Sequence, residues 1–295
     1  MKRKCNKLLI LHNRLTEYCL DIEKVAKSHG WDTWRGVASD DYIKVCEGYE
    51  TVRYYGNYIH AEWLINDCSF KFDYRPITLL HYNTNENITG RKVHLCDSDQ
   101  IEHTFTVDIF VKCAFQKKFD PRIFKDGESL PQFDEVTSLY LQEPIYDIDE
   151  EIRCFVDNCE VKTASYYVIS HGHWNKVQYK NIDDNIPQSI IDKTKEVCIS
   201  LGINNGICLD FYRRKGQDTW FLLEANIPAF CGLYDCNVEK VFDVIINSQI
   251  DTVANIPYSQ FINQPTSESV SWLSKRTGIT DIDTLKKLGR ILNKK

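Results

Sequence analysis

Asp210, Glu224 and Asn226 are spaced so that one hairpin would bring three oxygen donors together. The stretch GICLDFYRRKGQDTWFLLEAN, from Gly206 to Asn226, is two apolar runs around a Lys215-Gly216-Gln217 turn. A three-residue loop with Gly216 in the left-handed region pairs Asp210 opposite Leu222, on the sheet face that also carries Glu224. Side chains alternate along a strand with period two, so Asn226 joins that face. Hard oxygen donors of this kind suit magnesium bridging nucleotide phosphates, where the protein supplies few ligands and the phosphates supply the rest. An acidic hairpin face is in general more often solvated than metal-bound. Here Asp210 lies between Leu209 and Phe211, and Glu224 follows Leu222-Leu223. A carboxylate in so apolar a strand needs a partner.

Other residues upstream are placed for anionic chemistry. Lys112 ends an apolar run, where an ammonium either reaches a bound phosphate or snorkels to water. Lys117 and Lys118 follow in a loop, CAFQKKFDPRIF, that could close over a nucleotide. Gln142-Glu143-Pro144-Ile145 ends a strand at a hinge whose main chain can meet adenine; Pro144 has no N–H, so the donor comes from a neighbour such as Ile145. Arg153 alternates with Ile152 and Cys154 in an apolar strand and needs an anion, either Glu151 or Glu143 or a substrate carboxylate or phosphate. His171 and His173 flank Gly172 and read as surface-loop histidines or as a base near a substrate. No Ser-His-Asp or Cys-His constellation stands out, and no glycine-rich phosphate loop of the dinucleotide or Walker type is present.

These residues require strands to hold them. Leu8 to Leu11 predicts an opening buried strand, and Thr16 to His29 a helix stopped by Gly30. The Tyr- and Trp-rich stretch from Trp31 to Tyr82 completes a small α/β domain, and NTNENITG, Asn83 to Gly90, marks a boundary. Strands are expected over Phe105 to Cys113 and Thr137 to Ile145, and a hairpin joins Glu151–Val156 to Val161–Ile169 around Asp157-Asn158. Pro187 and Gly202 bracket a helix, and another follows near Val238 to Ile246. The order of strands, helix, hairpin and helix argues for α+β lobes and against a doubly wound sheet. The expected domains are 1–90, 91–262 and a helical tail over 263–295. That tail could resemble a DNA-reading helix-turn-helix, but a packed helical hairpin is the simpler reading.

Composition bounds the alternatives. The chain has 295 residues, 43% hydrophobic and 26% charged, an ordinary globular mixture. A net charge of -6 argues against a general grip on nucleic-acid backbones. Twelve cysteines are scattered without a Cys-x-x-Cys pair and read as reduced, buried, small hydrophobes. The apolar run in MKRKCNKLLILHNR is too short for a signal peptide or a membrane span, which makes a cytoplasmic location the default.

Taken in order, DIFVKCAFQKKF, YLQEPIYDIDEEIRCFVDNCEVKTASYY and GICLDFYRRKGQDTWFLLEANIPAFCGLYD resemble the ATP-grasp superfamily. Within it they resemble the divergent clade named for two arginines and a lysine, which includes a eukaryotic assembly factor for translation initiation factor two. With the following helix they span about residues 105 to 247. The resemblance implies an ATP-grasp fold, two α+β lobes gripping ATP, preceded by the small α/β domain. It implies that Lys112 and one of Lys117 or Lys118 touch nucleotide phosphates, that Gln142, Glu143, Pro144 and Ile145 receive adenine, and that Arg153 faces the γ-phosphate or an acyl-phosphate. Asp210, Glu224 and Asn226 would hold one or two magnesium ions. Tyr166 and Gly232-Leu233-Tyr234 match recurring positions without an assigned role. The clade's usual Lys-Pro is Lys112-Cys113 here, and its usual Glu-Tyr-Arg is Glu151-Ile152-Arg153.

The resulting expectation is an ATP- and magnesium-dependent carboxylate–amine ligase acting through an acyl-phosphate, with small-molecule, peptide or protein substrates. The alternative is an ATP-binding assembly factor without ligase turnover. Nucleotidyl or phosphoryl transfer to nucleic acid is the third class, disfavoured by the acidic charge.

Overall fold

The computed structural model describes residues 5–12, 17–36, 41–57, 60–61, 64, 72–74, 86–101, 104–113, 119–169, 177–203 and 205–251. The chain forms two compact units, the larger from residues 1–77, 150–211 and 224–295, the smaller from 78–149 and 212–223.

The larger unit opens with β1 (Lys7–His12), whose Leu8 to Leu11 are all buried. A strand buried on both faces reads as a continuous apolar run, as parallel sheets require. Helix α1 (Glu17–Ser28) buries Cys19, Ile22, Val25 and Ala26 on one side. The chain then turns through Gly30, at φ 75°, into β2 (Asp32–Gly36). With β3 (Thr51–Tyr55) these make a parallel sheet in the order β2-β1-β3, and β4 (Phe72–Tyr74) pairs antiparallel with Gln249–Asp251.

A second sheet has the order β11-β10-β9-β12-β13. Its strands are β9 (Ile148–Asp157), β10 (Glu160–Ile169), β11 (Val177–Asn181), β12 (Ile207–Arg214) and β13 (Trp220–Asn226). The β9–β10 turn has Asn158 and Cys159 at φ 52° and 61°, the pair of positive angles that a two-residue hairpin matched to strand twist demands. The helix Gln188–Leu201 ends on Gly202 in the left-handed conformation, and the helix Val238–Ser248 starts where Asn237 accepts a hydrogen bond from the Lys240 N–H. A common core joins Leu9, Ile22 and Val25 to Phe155, Cys208, Val241, Val244 and Ile245.

The smaller unit is built on an antiparallel sheet in the order β5-β8-β6-β7: β5 (Val93–Asp97), β6 (Ile109–Cys113), β7 (Arg122–Phe124) and β8 (Ser138–Gln142). Phe105, Val111, Phe124, Leu130 and Leu139 form its core. The tip of the β12–β13 hairpin belongs to this unit, where the Tyr212 hydroxyl donates to the Thr89 carbonyl at 2.8 Å. Gly216 is left-handed at φ 71°, as expected, but the loop runs from Lys215 to Thr219, two residues longer than the three expected. The Gln217 N–H bonds the Arg214 carbonyl at 3.1 Å, so the tight turn closes early and Asp218 and Thr219 extend the return.

No described cysteine is in a disulfide. Among the described residues no helix is long and apolar enough to cross a membrane. The tail from 263 to 295 lies outside the described residues.

Candidate functional site

Asp210 occupies the middle of β12, buried between Leu209 and Phe211. The partner that such a carboxylate needs comes from the neighbouring strand β9. Arg153 Nε donates to Asp210 Oδ1 at 2.8 Å and Nη2 to Oδ2 at 2.7 Å, a two-pronged ion pair. Arg153 Nη1 donates to the Gly232 carbonyl at 3.0 Å. The sequence offered Glu151 or Glu143 as protein partners for Arg153; the structure gives Asp210. Burial opposes the charge on Arg153, yet the Asp210 carboxylate outweighs it and holds the guanidinium well above its ordinary pKa. Three of the five guanidinium N–H groups are committed in this way.

Asn226, at the end of β13, donates from Nδ2 to Asp210 Oδ2 at 3.1 Å, so the hairpin brings these two together as the spacing predicts. Glu224 lies two residues earlier on the same strand, half-buried. Glu151, offered by the sequence as a partner for Arg153, instead lies within the field of Asp210 and Glu224. Burial, with the Asp210 and Glu224 charges, raises its carboxyl to about 7 against the opposing pull of Tyr167 and the charge of Arg153. Glu151 therefore senses both candidate metal ligands. Tyr167 stands directly across from it in the β9–β10 register.

Asp210, Glu224 and Asn226 provide two carboxylates and an amide oxygen, hard donors too few to enclose a cation alone. Among the described residues no cluster of three or more His, Cys, Asp or Glu side chains is built to hold a metal. A short all-oxygen set is what magnesium takes when phosphates complete its shell. A carboxylate has about four lone-pair sites, and Asp210 gives three to Arg153 and Asn226. The donor types suit magnesium, with Arg153 and the Asn226 amide N–H orienting the Asp210 carboxylate, as hydrogen-bond partners orient ligands in metal sites.

In the smaller unit Lys112 lies on β6 opposite Tyr140 of β8, its Nζ 6.0 Å from the Tyr140 ring centre. Gln142 ends β8 with its side chain buried, and its Oε1 accepts from Arg91 Nη2 at 2.7 Å and Nε at 3.2 Å. Arg91 also donates to the Leu223 carbonyl at 3.0 Å. Arg91 follows directly on the polar stretch taken as a boundary, and nothing in the pattern marks it as buried. The Glu143 N–H bonds the Lys92 carbonyl at 3.0 Å, and Pro144 and Ile145 continue half-buried. Lys117, Lys118, His171 and His173 lie outside the described residues.

A family model described as an ATP-grasp domain, R2K clade family 2, matches residues 88–244. The fold is similar to that of D-alanine–D-alanine ligase from Bacillus anthracis, with a TM-score of 0.50 at 10% identity over 82% of this chain and 97% of that one. It is similar also to N5-carboxyaminoimidazole synthetase from Staphylococcus aureus, with a TM-score of 0.50 at 10% identity over 83% and 78%. No curated protein sequence matches the chain.

Proposed function

The chain belongs to the ATP-grasp domain family, R2K clade family 2, and from that premise we propose that it is an ATP- and magnesium-dependent ligase joining a carboxylate to an amine. The observation that carries the reading is the buried Arg153–Asp210 pair with Asn226 on Asp210 and Glu224 on the same strand. Charge is concentrated here within buried strands, where it acts at low dielectric and is strongest.

In this reading Asp210, Glu224 and Asn226 hold magnesium, which when bound offsets negative charge on the phosphates. Lys112, with Lys117 or Lys118, contacts the nucleotide phosphates, and the main chain from Gln142 to Ile145 receives adenine. The Glu143 N–H is taken by Lys92, so the donor assigned to adenine is the Ile145 N–H. Arg153 keeps Asp210 and Gly232 and directs its two remaining N–H groups to the phosphoryl group in transfer. The substrate carboxylate attacks the γ-phosphorus as ADP leaves. The amine then attacks the acyl carbon, and phosphate departs with no side-chain nucleophile required.

Asp210→Ala is a poor test, because it strands the buried Arg153 charge and costs the fold about 3–5 kcal/mol together with the site. Glu224→Gln removes a half-buried charge and keeps the shape. With ADP release measured across a panel of carboxylates and amines, the wild type is expected to turn over only when both are present. Glu224→Gln should lower that turnover about a hundredfold with an unchanged melting temperature. Unaltered magnesium dependence in Glu224→Gln sinks the metal assignment, and tight ATP binding with no turnover across the panel moves the protein to the assembly-factor class.

A further inference from the structure

Arg91 in the smaller unit is a buried cation whose guanidinium, among the described residues, meets only neutral acceptors. Gln142 Oε1 accepts from Nη2 at 2.7 Å and from Nε at 3.2 Å, and the Leu223 carbonyl accepts from Nη2 at 3.0 Å. The centre of the Tyr212 ring lies 5.4 Å from Cζ, and Nη1 is buried with no hydrogen-bond partner. The Arg91 carbonyl accepts from the Thr89 hydroxyl at 2.6 Å, so the main chain behind the side chain is fixed as well. A buried charge held by neutral groups alone costs stability. Arg153 has the Asp210 carboxylate to offset that cost; what Arg91 has in its place is the amide of Gln142.

That contact decides which way round the amide stands. A guanidinium has five donors and no acceptor, so only the carbonyl end of Gln142 can face it. Nε and Nη2 together fill the two lone pairs of Oε1. The Gln142 side chain is left with the donors of Nε2, turned away from Arg91.

The sheet register places those donors. Gln142 pairs with Phe110, and Tyr140 with Lys112. Opposed residues share a face, and alternation with period two puts both pairs on the same one. Val111 and Leu139 take the other face, in the apolar core of this unit. Gln142 therefore lies on the face of Lys112, the lysine assigned above to the nucleotide phosphates, and directly precedes the segment whose Ile145 N–H is assigned to adenine.

We propose that Arg91 is a positioning residue for nucleobase selection: it locks the Gln142 amide so that Nε2 donates to a ring nitrogen of adenine, as a second donor beside the Ile145 N–H. The proposal rests on the nucleotide reading of the hinge and deepens it. An unlocked amide rotates and offers Oε1 as readily as Nε2. A locked donor tells a ring nitrogen from a C–H at the same place, because the C–H leaves it unpaired.

The test measures the affinity of the full chain, with magnesium and without an amine, for ATP and for 1-deaza-, 3-deaza- and 7-deaza-ATP, each of which replaces one ring nitrogen by C–H. The wild type should bind two of the three analogues about tenfold more weakly than ATP, one for each donor. In Gln142→Glu a carboxylate pairs with Arg91 and presents oxygen in place of Nε2. Its melting temperature should not fall, and it should discriminate against only one analogue. Arg91→Met frees the amide and should bring the other analogue to within about threefold of ATP; if that variant does not fold, Gln142→Glu still decides. A wild-type profile in either folded variant overturns the proposal, as does a wild type that discriminates against fewer than two analogues. A folded wild type that binds none of the four nucleotides removes the ATP reading and this proposal together, whereas tight ATP binding with one profile in all three proteins removes only the role of Arg91 and Gln142.

Discussion

Removing Arg153 or Asp210 should cost more than removing any other charged side chain in the larger unit, and most of the cost should vanish when both are removed together. The two side chains are 8% and 2% exposed, so water screens neither. Losing one partner of such a pair leaves an uncompensated buried charge and costs about 3–5 kcal/mol. For a protein of this size that corresponds to a fall in melting temperature of about 5–8 °C. The single variants are Arg153→Met and Asp210→Leu, which fill similar space without charge. The double variant desolvates no charge and should lie within about 1–2 kcal/mol of the wild type. The double-mutant cycle, read by calorimetry or urea unfolding, should therefore give a coupling of about 3 kcal/mol or more. A coupling below about 0.5 kcal/mol, the scatter for independent sites, refutes the reasoning. Arg153→Lys probes orientation separately. An ammonium keeps the charge but cannot span both Asp210 oxygens and the Gly232 carbonyl. The magnesium concentration that half-activates ATP turnover should then rise about 10–100-fold.

Further outcomes follow from particular contacts. Burial, reinforced by Asp210 and Glu224, raises the Glu151 carboxyl from an ordinary 4.5 to about 7. The folded chain thus binds the proton more tightly than the unfolded chain, and the stabilisation is complete below 4.5 and is lost as pH rises through 7. In metal-free buffer, urea midpoints on either side of that window should reveal a drop of up to about 3 kcal/mol that is absent in Glu151→Gln. Gly90→Ala should destabilise by about 1–3 kcal/mol, because φ is +64° and the new Cβ would lie 2.6 Å from the Phe221 ring and 2.8 Å from the Tyr212 hydroxyl. A melting temperature equal to the wild type would show that Phe221 and Tyr212 give way freely.

What the sequence disclosed and what it withheld divide along the range of the interactions. The β9–β10 hairpin, the Gly202 helix stop and the convergence of Asp210 with Asn226 are local, set by alternation and turn chemistry within a few dozen residues. Arg153's partner was withheld because alternation tells which face a residue takes and not which strand lies beside it. Only the sheet order puts β9 next to β12 and so Arg153 next to Asp210. The hairpin loop is longer than the pattern predicts because Gly216 fixes the turn but not how many residues extend beyond it. Arg91 carries no signal in the sequence for a similar reason: its acceptors, Gln142 and Leu223, come from distant parts of the chain.

The buried ion pair also bears on why charge is present at all. Leu209, Phe211, Ile152 and Cys154 flank the two in sequence and are fully buried on the opposite sheet face, while Ser165, across from Arg153, is a buried polar neighbour. An apolar pair of similar volume would fill the space with no desolvation cost, and such replacements are often neutral or stabilising. Stability alone therefore does not account for Arg153 and Asp210. Their arrangement does one thing an apolar pair cannot: it presents an ionised, oriented carboxylate beside Asn226 on the strand pair that also carries Glu224. If the Arg153→Met, Asp210→Leu double variant melts like the wild type and has lost all magnesium-dependent turnover, fold and chemistry will have been separated at one pair of residues. If it keeps turnover, the pair is an element of architecture and the metal assignment fails with it.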